Sequence, residues 1–358
     1  MTLPRLRPLA LCLTALFAAA HADETPLHAV NVTAKGYAAS DLETPLSTGV
    51  LQRDELDRRG GQNLGDALRG EPGIAIAADS AQGQNPVLRG LGKDSLVLLV
   101  DGVRFNSAQP AGAIASFMTL GLAERVEVVK GGASVLYGTG AIGGAINVLL
   151  PQARFTPGVG LAAAASFDSA SQGTRGTAGF NGARGDHALM LGASLARIDD
   201  YRAPEGTVAR TGYDSDSVIG QYRFRIDGQQ QLRVSAQIHR DENVWYPGST
   251  RMHPSNPARN STTIHSPTQE RRLLELGWQK KGDCGQPLNL DLRVYRQEME
   301  RSIYSWANWL GRDIVTNNVT FRTDGLDARG DWLAHPNHLL SFGVNAWEMR
   351  ANPDRWMA

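Results

Sequence analysis

Cysteine is close to absent. Cys12 and Cys284 are the only two in 358 residues, and Cys12 falls inside an N-terminal leader, so the exported chain keeps one thiol and no internal disulfide. A surplus of either charge is also missing. Lys plus Arg number 36 and Asp plus Glu number 36, with no basic stripe, which excludes nucleic acid as an expected partner. Beyond the leader no run of 18 apolar residues occurs. That excludes membrane-spanning helices and leaves a membrane β-barrel open, because alternating strands give no hydropathy peak.

The leader has Arg5 and Arg7, an apolar core from Leu9 to Ala20, and Ala20-His21-Ala22 before Asp23. This is the build of a cleaved secretory signal peptide, and the mature chain is expected to begin near Asp23. Export bears on Gly138-x-Gly140-x-x-Gly143, the glycine fingerprint of a dinucleotide-binding turn. Such a turn needs a strand before it, a helix after it and an acidic residue about 20 positions on. Here β-branched residues follow, in "AINVLL", and the first acidic residue is Asp168. No Ser, His and Asp grouping or metal-ligand spacing appears either, so neither an enzyme nor a cofactor is expected.

Three kinds of text follow the leader. Val30, Val32 and Ala34 alternate with Asn31 and Thr33, as in an extended strand that must find a pairing partner. From Val50 to Leu150 the pattern is mixed. Two short helices are expected over 51–70, with Leu51, Leu56, Leu64, Ala67 and Leu68 inward and Gly60-Gly61 and Gly70 as stops. Buried strands are expected in Ser95–Phe105, ending in an Asp101-Gly102 turn, and in Ala123–Gly131. From Gly158 onward about nine amphipathic strands are expected, near 158–170, 174–183, 187–199, 214–226, 231–241, 268–281, 288–300, 318–334 and 338–351. Their spacers alternate between short ones and long ones at 200–213, 242–267 and 301–317. Tight turns at one end and long loops at the other are the rhythm of an outer-membrane barrel.

Residues 24–155 resemble the energy-coupling box and plug domain of TonB-dependent outer-membrane receptors. The resemblance rests on "LHAVNVTA", on Val87–Asn106 and on "ERVEVVKGGASVLYGTGAIGGAINV" (Glu124 to Val148). One departure is Gly132, where the family commonly carries Pro. The fold implied is a mixed α+β plug followed by antiparallel transmembrane β-barrel strands, incomplete relative to the family's 22 strands, so a longer receptor is expected, with a truncated, non-transporting remnant that only binds TonB as the alternative. The division implied is 1–22 signal peptide, 23–45 box and linker, 46–153 plug and 154–358 barrel.

The resemblance also implies roles. Leu27, Val30, Asn31, Val32, Thr33 and Ala34 would bind TonB, driven by its inner-membrane ExbB and ExbD motor, by adding a strand to that partner's sheet. Arg89, Arg125 and Glu127 would hold the plug to charges on the barrel. Gly90, Asp101, Gly102, Tyr137, Gly138, Gly143, Gly144 and Asn147 would shape it. Ligand contacts are expected from Gln82, Gln84, Arg104, Asn106 and Gln109 at the plug apices and from Trp245, Tyr246, Arg251 and His253 in a long loop, the aromatic rings stacking on an iron chelate. A ferric siderophore is the first expectation, haem the second, cobalamin the third and copper the fourth, with outer-membrane lipid around the barrel. Tyr201-Arg202-Ala203-Pro204 and Asn352-Pro353-Asp354 are similar to haem-receptor motifs, but their order and separation do not match.

Overall fold

The computed structural model describes residues 30–31, 39–40, 47–61, 63–92, 95–105, 114–118, 120–132, 137–252, 261–283, 287–335 and 338–357. The leader, box residues Leu27 and Val32 to Ala34, and ligand candidates Asn106, Gln109 and His253 lie outside them. Strands β1 (Val30–Asn31) and β2 (Ala39–Ser40) pair antiparallel. The described part of the expected free strand is therefore paired within this chain.

β3 (Ser47–Gln52) leads into helices α1 (Arg53–Arg59) and α2 (Leu64–Leu68). Helix α1 has Asp54 and Glu55 in its first turn and Arg58 and Arg59 in its last, complementing the helix dipole. It ends at Gly60, whose φ of 62° lets its N–H reach back to Leu56 and Asp57. Helix α2 is capped by Asn63, whose Oδ1 accepts the Asp66 N–H at 3.0 Å. A small antiparallel sheet follows, of β4 (Ile74–Ala78), β5 (Gln84–Leu88) and β6 (Leu91–Gly92).

The central plug sheet adds β7 (Leu96–Val100), β8 (Val103–Arg104), β9 (Arg125–Lys130) and β10 (Gly144–Leu149) in the order β3-β9-β10-β7-β8, with β10 and β7 parallel. Both faces are covered, which is why its strands read as nearly continuous apolar runs. On one side Val126, Val128, Ile146 and Val148 pack with Leu56, Leu64, Leu68 and Leu88. On the other, Val97, Leu99, Val129 and Ala145 pack with Tyr137 and Ala141. The last glycine of the fingerprint, Gly143, and its neighbour Gly144 serve this packing. Gly144 has φ 141°, and a Cβ there would lie 2.1 Å from the Val129 carbonyl oxygen; at Gly143 it would lie 2.8 Å from the Leu91 Cβ. These glycines let backbone approach backbone, as no larger residue can.

Nine antiparallel strands form the wall: β11 (Gly158–Asp168), β12 (Gly173–Arg184), β13 (His187–Ile198), β16 (Tyr213–Arg225), β17 (Gln230–Arg251), β18 (Thr262–Lys280), β19 (Leu288–Ala307), β20 (Arg312–His335) and β21 (His338–Met357). Each is paired with its sequence neighbour in this list. A separate ribbon, β14 (Arg202–Ala203) with β15 (Gly206–Thr207), sits in the 199–212 connection. The expected strands are all found, but two expected loops are mostly strand: β17 runs on to Arg251, and β19 and β20 leave only 308–311 between them. Trp245, Tyr246, Tyr304 and Trp306 are therefore wall residues. At about 3.3 Å per residue, the 22 residues of β17 extend roughly 70 Å, well beyond an apolar band roughly 25 Å tall even when tilted.

Alternation sorts the wall's two faces. On β17, Leu232, Val234 and Ile238 are exposed while Ser235, Gln237, His239 and Asp241 are buried against the plug.

Candidate functional site

At the long-loop end of the wall, the plug turn 79–84 meets the 199–212 connection across a recess of about 700 Å³. Its lining includes Asp79, Ser80 and Gln84 from the plug and Tyr201, Thr211 and Gly248 from the wall. That volume is in the range that accepts small-molecule ligands. A second cleft, of about 710 Å³, lies between Leu122 and Pro151 of the plug side and the small residues of β11 and β12.

The recess floor is held from below. Gly248 N–H donates to the Asp79 carbonyl at 3.1 Å, Asn63 Nδ2 donates to the Ala81 carbonyl at 2.8 Å, and Gln82 Nε2 donates to Asp241 Oδ2 at 2.6 Å. Asp241 Oδ2 lies 3.4 Å from His239 Nε2, which is 3.1 Å from the Ser116 carbonyl oxygen. A carbonyl only accepts, so Nε2 carries the proton donated there. Nδ1 of the same ring is 2.8 Å from Ser217 Oγ.

Charge in the recess is largely spoken for. Arg59 is paired with Glu55 and Glu71 at 2.6 Å each, and Arg69 with Asp66 at 3.3 Å. Asp168 is engaged by the Ser171 hydroxyl at 2.6 Å, which with the 170 and 171 N–H groups holds its carboxyl below the usual range. Neither arginine that lines the recess, Arg59 or Arg69, can meet an anionic ligand without giving up a carboxylate.

The expected ligand residues divide accordingly. Gln84 lines the recess, with its side chain bonded to Arg69 and to the Ala81 carbonyl. Gln82 is not an open apical amide: it is 3% exposed and ties the turn to the wall. Arg104 lies on β8, donates to the Tyr137 carbonyl at 3.2 Å, and is held below the ordinary arginine value by burial. Tyr246 is buried, its hydroxyl accepting from Gln269 at 2.8 Å and Arg301 at 3.0 Å. Trp245 is stacked on His265, and Arg251 is exposed at the end of β17. His239 and Asp241 were not singled out, although their place on the polar side of an alternating strand was the available signal.

Asp101 and Gly102 form the expected turn, and Arg293 of β19 donates to both carbonyls, at 2.7 and 3.1 Å. The Asp101 carboxylate accepts from the Leu150 N–H and from Gln237 Nε2, both at 2.9 Å. Burial pushes its pKa up to about 6; Glu275 pushes the same way, while the Leu150 N–H, Arg233 and Arg271 pull back. Asn147 Oδ1 accepts the Gly102 N–H at 3.1 Å. Arg125 and Glu127 do not bridge plug and wall as a pair: they join each other at 2.8 Å within β9. Arg89 is exposed at φ 49° beside Gly90 at φ 84°, and meets no carboxylate within salt-bridge distance among the described residues.

An α/β plug docked on the polar inner face of an antiparallel meander defines a plugged outer-membrane receptor architecture. Residues 40–145 match the family described as TonB-dependent Receptor Plug Domain. A hemin receptor of Yersinia enterocolitica is 26% identical over 344 residues, covering 90% of this chain and 47% of the relative. The vitamin B12 transporter BtuB of Vibrio vulnificus is 32% identical over 206 residues, 56% of this chain and 34% of the relative. Among solved structures, the pyoverdine receptor FpvA of Pseudomonas aeruginosa superposes with a TM-score of 0.73 at 16% identity, over 92% of this chain and 50% of that one. The copper transporter OprC gives 0.71 at 19% identity, over 87% and 47%. The family match covers the plug, residues 40–145, and the chain spans about half the length of the hemin receptor it matches.

Proposed function

We propose that this chain serves in an energy-coupled outer-membrane receptor that binds a small metal chelate in the recess between the 79–84 turn and the 199–212 connection. The recess is the observation that carries the reading, since it is the described cavity where plug apex and long connections meet. Its paired arginines favour a ferric siderophore of low net charge, such as a neutral hydroxamate complex, over a highly anionic catecholate. Haem is the second reading, supported by similarity to a hemin receptor along nine-tenths of the chain. TonB, driven by ExbB and ExbD, would draw on the segment around Val30 from the periplasmic side, and lipid would surround the wall's apolar face.

The test is a titration of the full-length receptor in outer-membrane vesicles with a ferric trihydroxamate, a ferric catecholate, haemin and cobalamin. The hydroxamate complex is expected to bind tightest, and Ala78→Trp, which fills the recess, to weaken it by about tenfold or more. Undiminished binding in Ala78→Trp would remove the recess from consideration. Val30→Pro deletes a backbone donor and should stop uptake while leaving binding intact; normal uptake would sink the coupling assignment.

A further inference from the structure

The aromatic residues expected to greet a ligand have already used their ring faces on one another. Trp245 stacks on His265 with centroids 4.4 Å apart, and Trp306 meets Trp245 edge-on at 5.8 Å. Tyr304 meets His265 edge-on at 5.6 Å, and His265 Nε2 is 2.7 Å from Asp313 Oδ1. Onto this cluster reaches a residue from another part of the chain: the Arg210 guanidinium lies 4.3 Å from the Trp245 ring centroid, and its NH1 donates to Asn308 Oδ1 at 2.8 Å. Asn308 is itself fixed, donating to Ser261 Oγ at 3.0 Å and Thr263 Oγ1 at 3.1 Å.

Arg210 belongs to the 199–212 connection, which is organised as a unit. Asp200 Oδ1 accepts the Thr211 and Gly212 N–H groups at 2.7 and 2.8 Å, and Val208 N–H donates to the Tyr201 carbonyl at 2.9 Å. Its stem is tied to the next turn by Asp199 and Arg202, whose N–H groups donate to Ser171 and Ala170. Beyond the stem, Arg210 is the residue that carries the connection across to the β19–β20 turn. It does so at φ 67°, a conformation that costs a non-glycine residue and is kept only where the surroundings repay it.

We propose that Arg210 is a positioning residue for the recess: by stacking on Trp245 and bonding Asn308, it clasps the 199–212 connection so that Tyr201, Val208 and Thr211 stand as a fixed wall of the cavity. Arginine is suited to this because one planar group stacks and donates at once, whereas lysine offers only a point charge. The aromatic cluster then acts on the ligand site indirectly, by holding its wall. The functional consequence rests on the recess reading, but the clasp itself is read without any ligand.

Two nitroxide labels, at Glu205→Cys in the connection and Thr320→Cys on the exposed face of β20, report the distance between them in the full-length receptor in outer-membrane vesicles, with the native cysteines, Cys284 included, replaced by serine. The parent should give one narrow distribution. Arg210→Ala should broaden it and raise the ratio of displaced to clasped connection by about tenfold. Trp245→Ala should do the same, with no further change in the double variant, and Arg210→Lys should restore little. An unchanged distribution in Arg210→Ala overturns the clasp; if that variant does not fold, Arg210→Lys decides the question with the charge retained. Should the parent bind none of the chelates above, the recess reading fails while the label distances still judge the clasp.

Discussion

Leu64, Leu68 and Leu88 in the plug and Arg271, Gln269 and Gln297 in the wall are almost equally hidden from solvent, yet they are buried under different rules. The plug leucines need only apolar neighbours, and they have them in one continuous cluster with Val126, Val128 and Ile146. The wall residues are held by directed contacts: Arg271 donates from Nε to Gln297 and from Nη1 to Gln237 at 3.0 Å each, and its guanidinium lies 4.7 Å from the Phe105 ring, with Nη2 making no hydrogen bond. Apolar burial is non-directional and gives the plug a core of its own. A buried polar seam is directional, fixing where the plug sits while adding less to stability than its bond count suggests.

The largest effect should come from the plug core. Leu64→Ala removes a fully buried side chain and should cost about 2–5 kcal/mol, read as a lowered denaturation midpoint for the plug. A loss below about 1 kcal/mol would mean that the wall, and not the plug's own core, carries its stability.

Asp101 tests the seam. Its folded pKa of about 6 lies above the ordinary 3.8, so its stabilising contribution is complete below the lower value and is lost as pH rises through the higher one. Plug retention should therefore weaken between these pH values, and Asp101→Asn should flatten that dependence. A parent profile with no such slope would show that the seam does not feel this carboxyl.

The smallest effect belongs to the wall's outer face, where Arg296 and Asp324 pair at 2.6 Å with both side chains about half exposed. Arg296→Ala should leave the thermal unfolding midpoint in vesicles nearly unchanged, because an exposed pair is screened by solvent. A marked drop would place this pair in a less watery setting than its exposure indicates.

Periodicity alone located all nine wall strands, because a two-residue alternation survives whatever the strand packs against. The plug helices were equally legible from Leu56, Leu64 and Leu68, with Gly60 as the stop. Loop lengths were misjudged at 242–267 and 301–317 because Trp245 and Tyr246 put aromatic rings on successive positions of β17, which hides a two-residue alternation, while Tyr304 and Trp306 of β19 join the same ring cluster as Trp245. The candidate site was legible only in outline: Gln84 lines the recess, whereas Gln82 is a tether to the wall and Trp245 a stacking partner of His265.

Local pattern, then, determined the order of elements, the two kinds of burial and the meaning of the glycine fingerprint, since each depends on residues close in sequence. Tertiary structure alone decided that Gln82 meets Asp241 across 159 positions and that Arg210 meets Asn308 across 98. Such contacts depend on the register of distant strands and on the docking of the plug, and no local spacing records either.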